Sequence, residues 1–254
     1  MHFHHLRPRD LHHFILAEER RINRSHAKRT VTMLRSFLQY LLQRGAIQTD
    51  LAAGLPTVAH WRLSDLPRSL PADQVERLLK SCDRTSRVGQ RDYAILMLLA
   101  RLGLRAGEVR TLTLDDLDWE RGEIVVHGKG QRIERLPLPK DLGEALAVYV
   151  RHGRPLCSTR AVFTRLPAPV RALCYSGVSN VVRGALKRAG LNPQFKGAHL
   201  LRHSLATSML RRGATLGEIG QILRHTQPTT TQIYAKVDLK ELRPIAPRWM
   251  EATS

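Results

Sequence analysis

Toward its C-terminal end the chain reads His199-Leu200-Leu201-Arg202-His203, then His225, then Tyr234. Upstream stand Arg105, close ahead of Glu108, and Lys129, which lies between two glycines. A guanidinium group offers a planar fork of donors that matches phosphate oxygens. Imidazole and ammonium groups move protons, and a phenol becomes a nucleophile once its proton is taken. Two arginines, a lysine, two or three histidines and one tyrosine are therefore the groups needed to hold a phosphodiester and attack it with a phenol. His199, Arg202 and His203 fall at i, i+3 and i+4, so a helix sets them on neighbouring positions of one face. Leu201, Leu205 and Met209 around them indicate that this helix is packed and not merely solvated.

Other chemistries fit less well. Histidines four apart suit zinc, but Leu200 stands where a general-base glutamate would be expected and no third ligand is evident, so no metal is assigned. Gly-Lys-Gly lacks the upstream glycine spacing and the following hydroxyl of a nucleotide-binding loop. His2, His4, His5, His12 and His13 have no ligand spacing and lie near a terminus. Taken singly, Lys129 reads as a solvated hairpin tip and Tyr234, one of five tyrosines, as a packing residue.

The 254 residues carry 41 Lys and Arg against 22 Asp and Glu, a formal net charge of +19. Such a chain is expected to bind a polyanion, with the salt dependence that counterion release produces. Cys82, Cys157 and Cys174 show no CxxC spacing and leave one thiol unpaired, which fits reduced thiols in a cytoplasmic protein. The longest apolar run, Tyr93 to Ala100, is far below the roughly 20 residues that span a bilayer and reads as a buried helix. With no apolar signal core at the N-terminus, neither secretion nor a membrane partner is expected.

The elements that must position these groups follow from periodicity. Helices are expected at 9–19 and 26–44, the second with an apolar stripe of Val31, Leu34, Phe37, Leu38, Leu41 and Leu42, a Ser25 cap and a stop at Gly45. The proline-bearing stretch from Trp61 to Pro71 reads as a linker. Beyond it, helices are expected at 72–82, 91–102, 105–110, 140–151, 176–189, 197–212, 215–224 and 229–236. Two β runs between Glu123 and Leu138 flank the Gly-Lys-Gly turn. The fold class is mainly α with a small β-sheet: a small helical N-terminal domain over 1–62, a linker over 63–71, and a larger mixed α/β domain over 72–254 with a tail from about 238.

The order of these motifs, Arg105 with Glu108, then Lys129, His199-x-x-Arg202, His225 and Tyr234, resembles the tyrosine recombinase (phage integrase) family over about residues 70–240. Arg-His-Ser-Leu-Ala-Thr at 202–207 and Ile-Tyr-Ala-Lys-Val at 233–237 are similar to Xer-like members. The resemblance implies that the small N-terminal domain is DNA-binding and the larger one catalytic, in a site-specific recombinase that clamps double-stranded DNA and cuts and rejoins it through a 3′-phosphotyrosyl bond, as a tetramer, with no metal, nucleotide or other cofactor. It implies that Tyr234 attacks, that Arg105 and Arg202 bind the phosphate, that Lys129 protonates the departing 5′-oxygen, and that His199 assists the proton of Tyr234. His225 then donates to the phosphate, Glu108 orients Arg105, and His203 supports the site. Two departures stand out: Arg224 occupies a position where the family commonly has glycine, so the turn differs or a phosphate contact is added, and the N-terminal domain is short. Leu239, Leu242, Ile245 and Trp249 in the tail are expected to dock on a neighbouring subunit. The rival readings are a type IB topoisomerase, which resembles the family in its catalytic groups, and a non-catalytic DNA-binding regulator retaining the fold.

Overall fold

A computed structural model describes residues 6–21, 24–56, 69–128, 130, 132–174, 176–225, 227 and 230–234. Lys129, His2, His4, His5, most of the expected linker and the tail from 238 lie outside the described residues. The chain divides into two compact units, Met1–Asp65 and Leu66–Ser254.

The first unit holds two helices, α1 (Pro8–Arg21) and α2 (Arg24–Gln43). Leu11 and Ile15 of α1 pack with Val31, Leu38 and Leu41 of α2 and with Ile47, Leu51 and Leu55 beyond it. Gly45 ends α2 as expected. Its φ of 68° lets the Gly45 and Ala46 N–H groups turn back onto the Leu42 and Leu41 carbonyls. Two expectations shift: α2 begins at Arg24, ahead of the proposed Ser25 cap, and Phe37 is exposed, on the edge of the stripe rather than within it.

The second unit is built around α4 (Arg87–Arg101), buried without interruption from Ala94 to Ala100. A helix that is apolar on every side needs partners on every side. Here they are α3 (Ala72–Lys80), α5 (Ala106–Thr111), α6 (Lys140–Val148), α7 (Gly177–Arg188) and α8 (His199–Arg211). α4 starts four residues earlier than the expected position 91 because Ser86 Oγ accepts the Gly89 N–H at 3.1 Å and caps it. A three-stranded antiparallel sheet, β1 (Leu117–Asp118), β2 (Glu123–His127) and β3 (Ile133–Pro137), lies in that order, with Val126 opposite Glu134 and His127 opposite Ile133. Ile124 and Val126 enter the core, and the β2–β3 turn carries the Gly-Lys-Gly sequence. Helix α9 (Leu216–Ile222) is capped by Thr215, whose hydroxyl accepts the Glu218 N–H at 3.2 Å. Within the helix expected over 229–236, the described residues Gln232–Tyr234 form a 3-10 turn. Consecutive β-branched threonines disfavour a helix there, and the Thr231 hydroxyl is engaged elsewhere.

Between α4 and α5 the chain reverses at Gly103 with φ 58°. A Cβ there would lie 2.7 Å from Leu223 Cδ2 and 3.0 Å from Leu205 Cδ2. Gly103→Ala is therefore expected to lose roughly 2–4 kcal/mol, combining a left-handed non-glycine residue with overpacking. A urea titration would read this as a lowered midpoint with an unchanged slope.

Candidate active site

Arg105 is the residue before α5 and has an extended backbone, so its N–H is one of the unpaired donors of a helix start. Glu108, three residues on, accepts that N–H at 2.8 Å and the Arg105 Nη1 at 2.7 Å. One carboxylate thus fixes both the backbone and the side chain of Arg105. Glu108 is buried, and burial by itself would raise its pKa. The two hydrogen bonds from Arg105, with the charges of Arg224 and Arg105, more than offset this and hold it below the usual glutamate range.

Arg202 rises from α8 and is 4% exposed. Its Nη1 donates to the Gly103 carbonyl and its Nη2 to the Leu223 carbonyl. Arg105 Nη2 donates to the next carbonyl along, that of Arg224, at 3.2 Å. The end of α9 therefore supplies one acceptor to each guanidinium group. Burial, with the charges of Arg105 and Arg224, pushes the Arg202 pKa down to about 10, which leaves it charged at neutral pH.

Those two carbonyls are offered by an uncommon turn. The Arg224 N–H bonds the Gln221 carbonyl and the His225 N–H bonds the Gly220 carbonyl, both at 2.9 Å, closing α9 with Arg224 at φ 55°. Glycine is the usual occupant of such a left-handed helix end, and another residue costs about 1–2 kcal/mol. The sequence departure at Arg224 thus leaves the turn intact but filled by a strained residue. His225, released just beyond it, is held through Nδ1 to Thr231 Oγ1 at 2.8 Å.

Tyr234 is 1% exposed and packs with Ala206, Ile219 and Leu223. Its hydroxyl lies 2.7 Å from His203 Nδ1. Burial raises the Tyr234 pKa to about 12, although the Arg202 charge opposes this. The His203 pKa falls to about 4 through burial, His199 and Arg202. His225 falls to about 4 through burial and the charges of Arg202 and Arg105, with His203 and Arg224 adding less. His199 is exposed, its ring centroid 6.5 Å from that of His203, and its pKa is lowered by partial desolvation and then by Arg202 and Arg105. A cleft of about 700 Å³ beside His225 is lined by Arg132, Glu134, Gln221, Arg224 and Thr231 among others.

Arg105, Glu108, His199, Arg202, His203, His225 and Tyr234 are thus gathered from α5, α8 and the segment after α9, while Lys129 lies outside the described residues. The phenol is partnered by His203, the expected supporting residue, and not by His199. Sequence reading missed Thr231 as the partner of His225 and the carbonyls of Gly103, Leu223 and Arg224 as the acceptors for the arginines. A glycine two residues ahead of Arg105 was the available signal for the first carbonyl. Among the described residues no group of His, Cys, Asp or Glu could hold a metal ion, and no helix is long and apolar enough to cross a membrane.

A helical frame with a three-stranded sheet holds two fixed arginines and a histidine-bonded phenol, groups whose chemistry suits binding an anion and attacking it. Residues 68–241 match the phage integrase family, and the chain belongs to that family. A Sinorhizobium fredii protein described as an integrase or recombinase, y4rA, is 51% identical over 245 residues, covering 96% of this chain and 60% of its own length. Tyrosine recombinase XerD of Listeria innocua is 34% identical over 220 residues, covering 85% of this chain and 73% of its own. Among solved structures, XerH recombinase in a post-cleavage complex with its difH substrate shares the fold at a TM-score of 0.75 and 22% identity, over 97% of this chain and 73% of that one. The chain spans about 60% of the length of the Sinorhizobium relative.

The two depressed imidazoles link the site to pH. In the unfolded chain such a group takes its proton near 6.5, whereas His203 and His225 in the folded chain do so only near 4. Between those values the unfolded state binds more protons, so stability must fall as pH falls. Thermal melts are expected to show Tm dropping from pH 6.5 toward pH 4, with a smaller drop in His203→Gln over the same window.

Proposed function

We propose that this chain is a site-specific recombinase that cuts and rejoins double-stranded DNA through a 3′-phosphotyrosyl link. The observation that carries this reading is the Tyr234 hydroxyl 2.7 Å from a neutral His203, beside an Arg202 that is itself oriented by backbone carbonyls. Arg105 and Arg202 take the non-bridging oxygens of the scissile phosphate. The phenol oxygen then attacks phosphorus while the bond to the 5′-oxygen breaks. His203, unprotonated at neutral pH and in contact with the hydroxyl, is our candidate for taking the phenol proton. His199, exposed on the same helix, is left to pass that proton on or to meet a phosphate oxygen. His225 donates to the phosphate, Glu108 orients Arg105, and Lys129 supplies the proton for the departing 5′-hydroxyl. The covalent link conserves the bond energy, so rejoining needs no nucleotide and no metal.

The high positive charge supports a DNA partner whose affinity comes from many phosphate contacts. The relatives named as integrases and recombinases support exchange between duplexes over simple relaxation of supercoils. Exchange requires four active sites on two duplexes, hence a tetramer on DNA, and places the protein in the cytoplasm. The helices of the first unit are assigned to DNA binding.

Nicked suicide duplexes made from the DNA flanking the gene test the reaction. A covalent adduct should appear on denaturing gels and vanish in Tyr234→Phe; an adduct that survives this change would remove Tyr234 as nucleophile. Supercoil relaxation without site dependence would favour the topoisomerase reading, and site binding indifferent to Tyr234→Phe with no adduct would favour a regulator. Arg202→Ala should slow adduct formation by about 100-fold or more, the scale of losing one preorganised donor. DNA affinity should fall only slightly, because one phosphate contact is a small share of the total. An affinity loss as large as the rate loss would contradict the role given to Arg202.

A further inference from the structure

Arg224 has no role in the chemistry outlined above, yet its side chain is only 6% exposed. Its Nη2 lies 2.9 Å from Glu108 Oε2 and its Nε 3.2 Å from Glu134 Oε2. Nη1 is buried and has no hydrogen-bond partner among the described residues. A side chain that sits on a left-handed backbone and leaves a donor unmet is held against its own local preferences, the kind of strain that clusters where a site is being shaped. Because Nη1 is buried, Arg224 in this arrangement is not presented to a DNA backbone.

The two carboxylates it joins belong to separate parts of the site. Glu108 orients Arg105, and Glu134 lies in β3, five residues beyond Lys129. Arg224 also addresses Arg105 directly, since its carbonyl accepts Arg105 Nη2 at 3.2 Å. A planar fork spans two carboxylates in fixed directions, whereas an ammonium group is a point charge. We propose that Arg224 is a positioning residue, an internal clamp that locks β3 of the β2–β3 hairpin to the Glu108–Arg105 pair. The catalytic consequence rests on the recombinase reading above; the structural one does not.

The test uses the full chain with Arg224→Gly, Arg224→Lys and Glu134→Gln. Glycine suits the turn, and Glu134 is partly exposed, so both variants should keep the fold. Amide hydrogen exchange without DNA is expected to rise about tenfold in β2 and β3 for Arg224→Gly and Glu134→Gln, the scale of losing a largely buried ion pair. Exchange in α4 and α7 should not change, and Arg224→Lys should recover only part of the protection. On saturating suicide duplex, adduct formation should slow by about tenfold in Arg224→Gly while DNA affinity stays within about twofold, since the residue is not among the contacts that set affinity. Unchanged hairpin exchange in both variants overturns the clamp, whether or not the chain cleaves DNA. A loosened hairpin with an unchanged cleavage rate overturns its positioning role. A loosened hairpin in a parent chain that forms no adduct supports the clamp and removes the recombinase reading instead.

Discussion

Keeping several positive charges together at low solvent exposure is the physical problem around which the larger unit is organised. Arg105, Arg202 and Arg224 converge on the turn after α9, where Arg105 and Arg224 lower the pKa of Arg202 and all three lower that of His225. Water does not reach Arg202 and Arg224 freely, so protein groups must do what hydration would do. A single buried carboxylate, Glu108, serves two of the three guanidinium groups, and three backbone carbonyls serve Arg105 and Arg202. Removing that carboxylate would leave Arg105 with the Arg224 carbonyl and Arg224 with Glu134. The position of α5 against the end of α9 is in this sense an electrostatic requirement.

The carbonyls have their own structural origin. Those of Leu223 and Arg224 face the arginines because α9 closes through a left-handed residue, and that of Gly103 does so because the α4–α5 reversal is left-handed too. Helix C-termini carry partial negative charge, which favours cations placed there. The apolar side chains around the same turns, Leu205 and Leu223, pack so closely on Gly103 that the reversal has no slack. Packing, backbone conformation and charge placement are therefore settled by the same few residues.

Most of the helical frame was legible in the sequence, because one-sided or all-round apolar patterns state directly which surfaces must be buried. α8 and the hairpin emerged close to their expected bounds, and the family resemblance rested on motifs that the fold does bring together, with Lys129 outside the described residues. What could not be read were contacts that depend on turn geometry. His203 and Tyr234 are 31 residues apart, and which histidine meets the phenol depends on a 3-10 turn where a helix was expected. Backbone carbonyls have no side-chain signature, so the acceptors for Arg105 and Arg202 were invisible. Arg224 was visible only as a misfit, and its two carboxylate partners lie on elements distant in sequence. The start of α4 was missed because a cap is a single hydroxyl rather than a pattern.

The burial of Tyr234 has a consequence for how a strongly cationic chain can coexist with a genome. Charge-driven attraction does not discriminate, so the DNA-binding recombinase proposed above would spend much of its time on arbitrary stretches of duplex. A phenol standing in solvent would then meet phosphates everywhere. At 1% exposure, bonded to an uncharged imidazole and with its proton held to about pH 12, it meets none of them. On the recombinase reading, adherence and reactivity are kept apart by the packing around Tyr234.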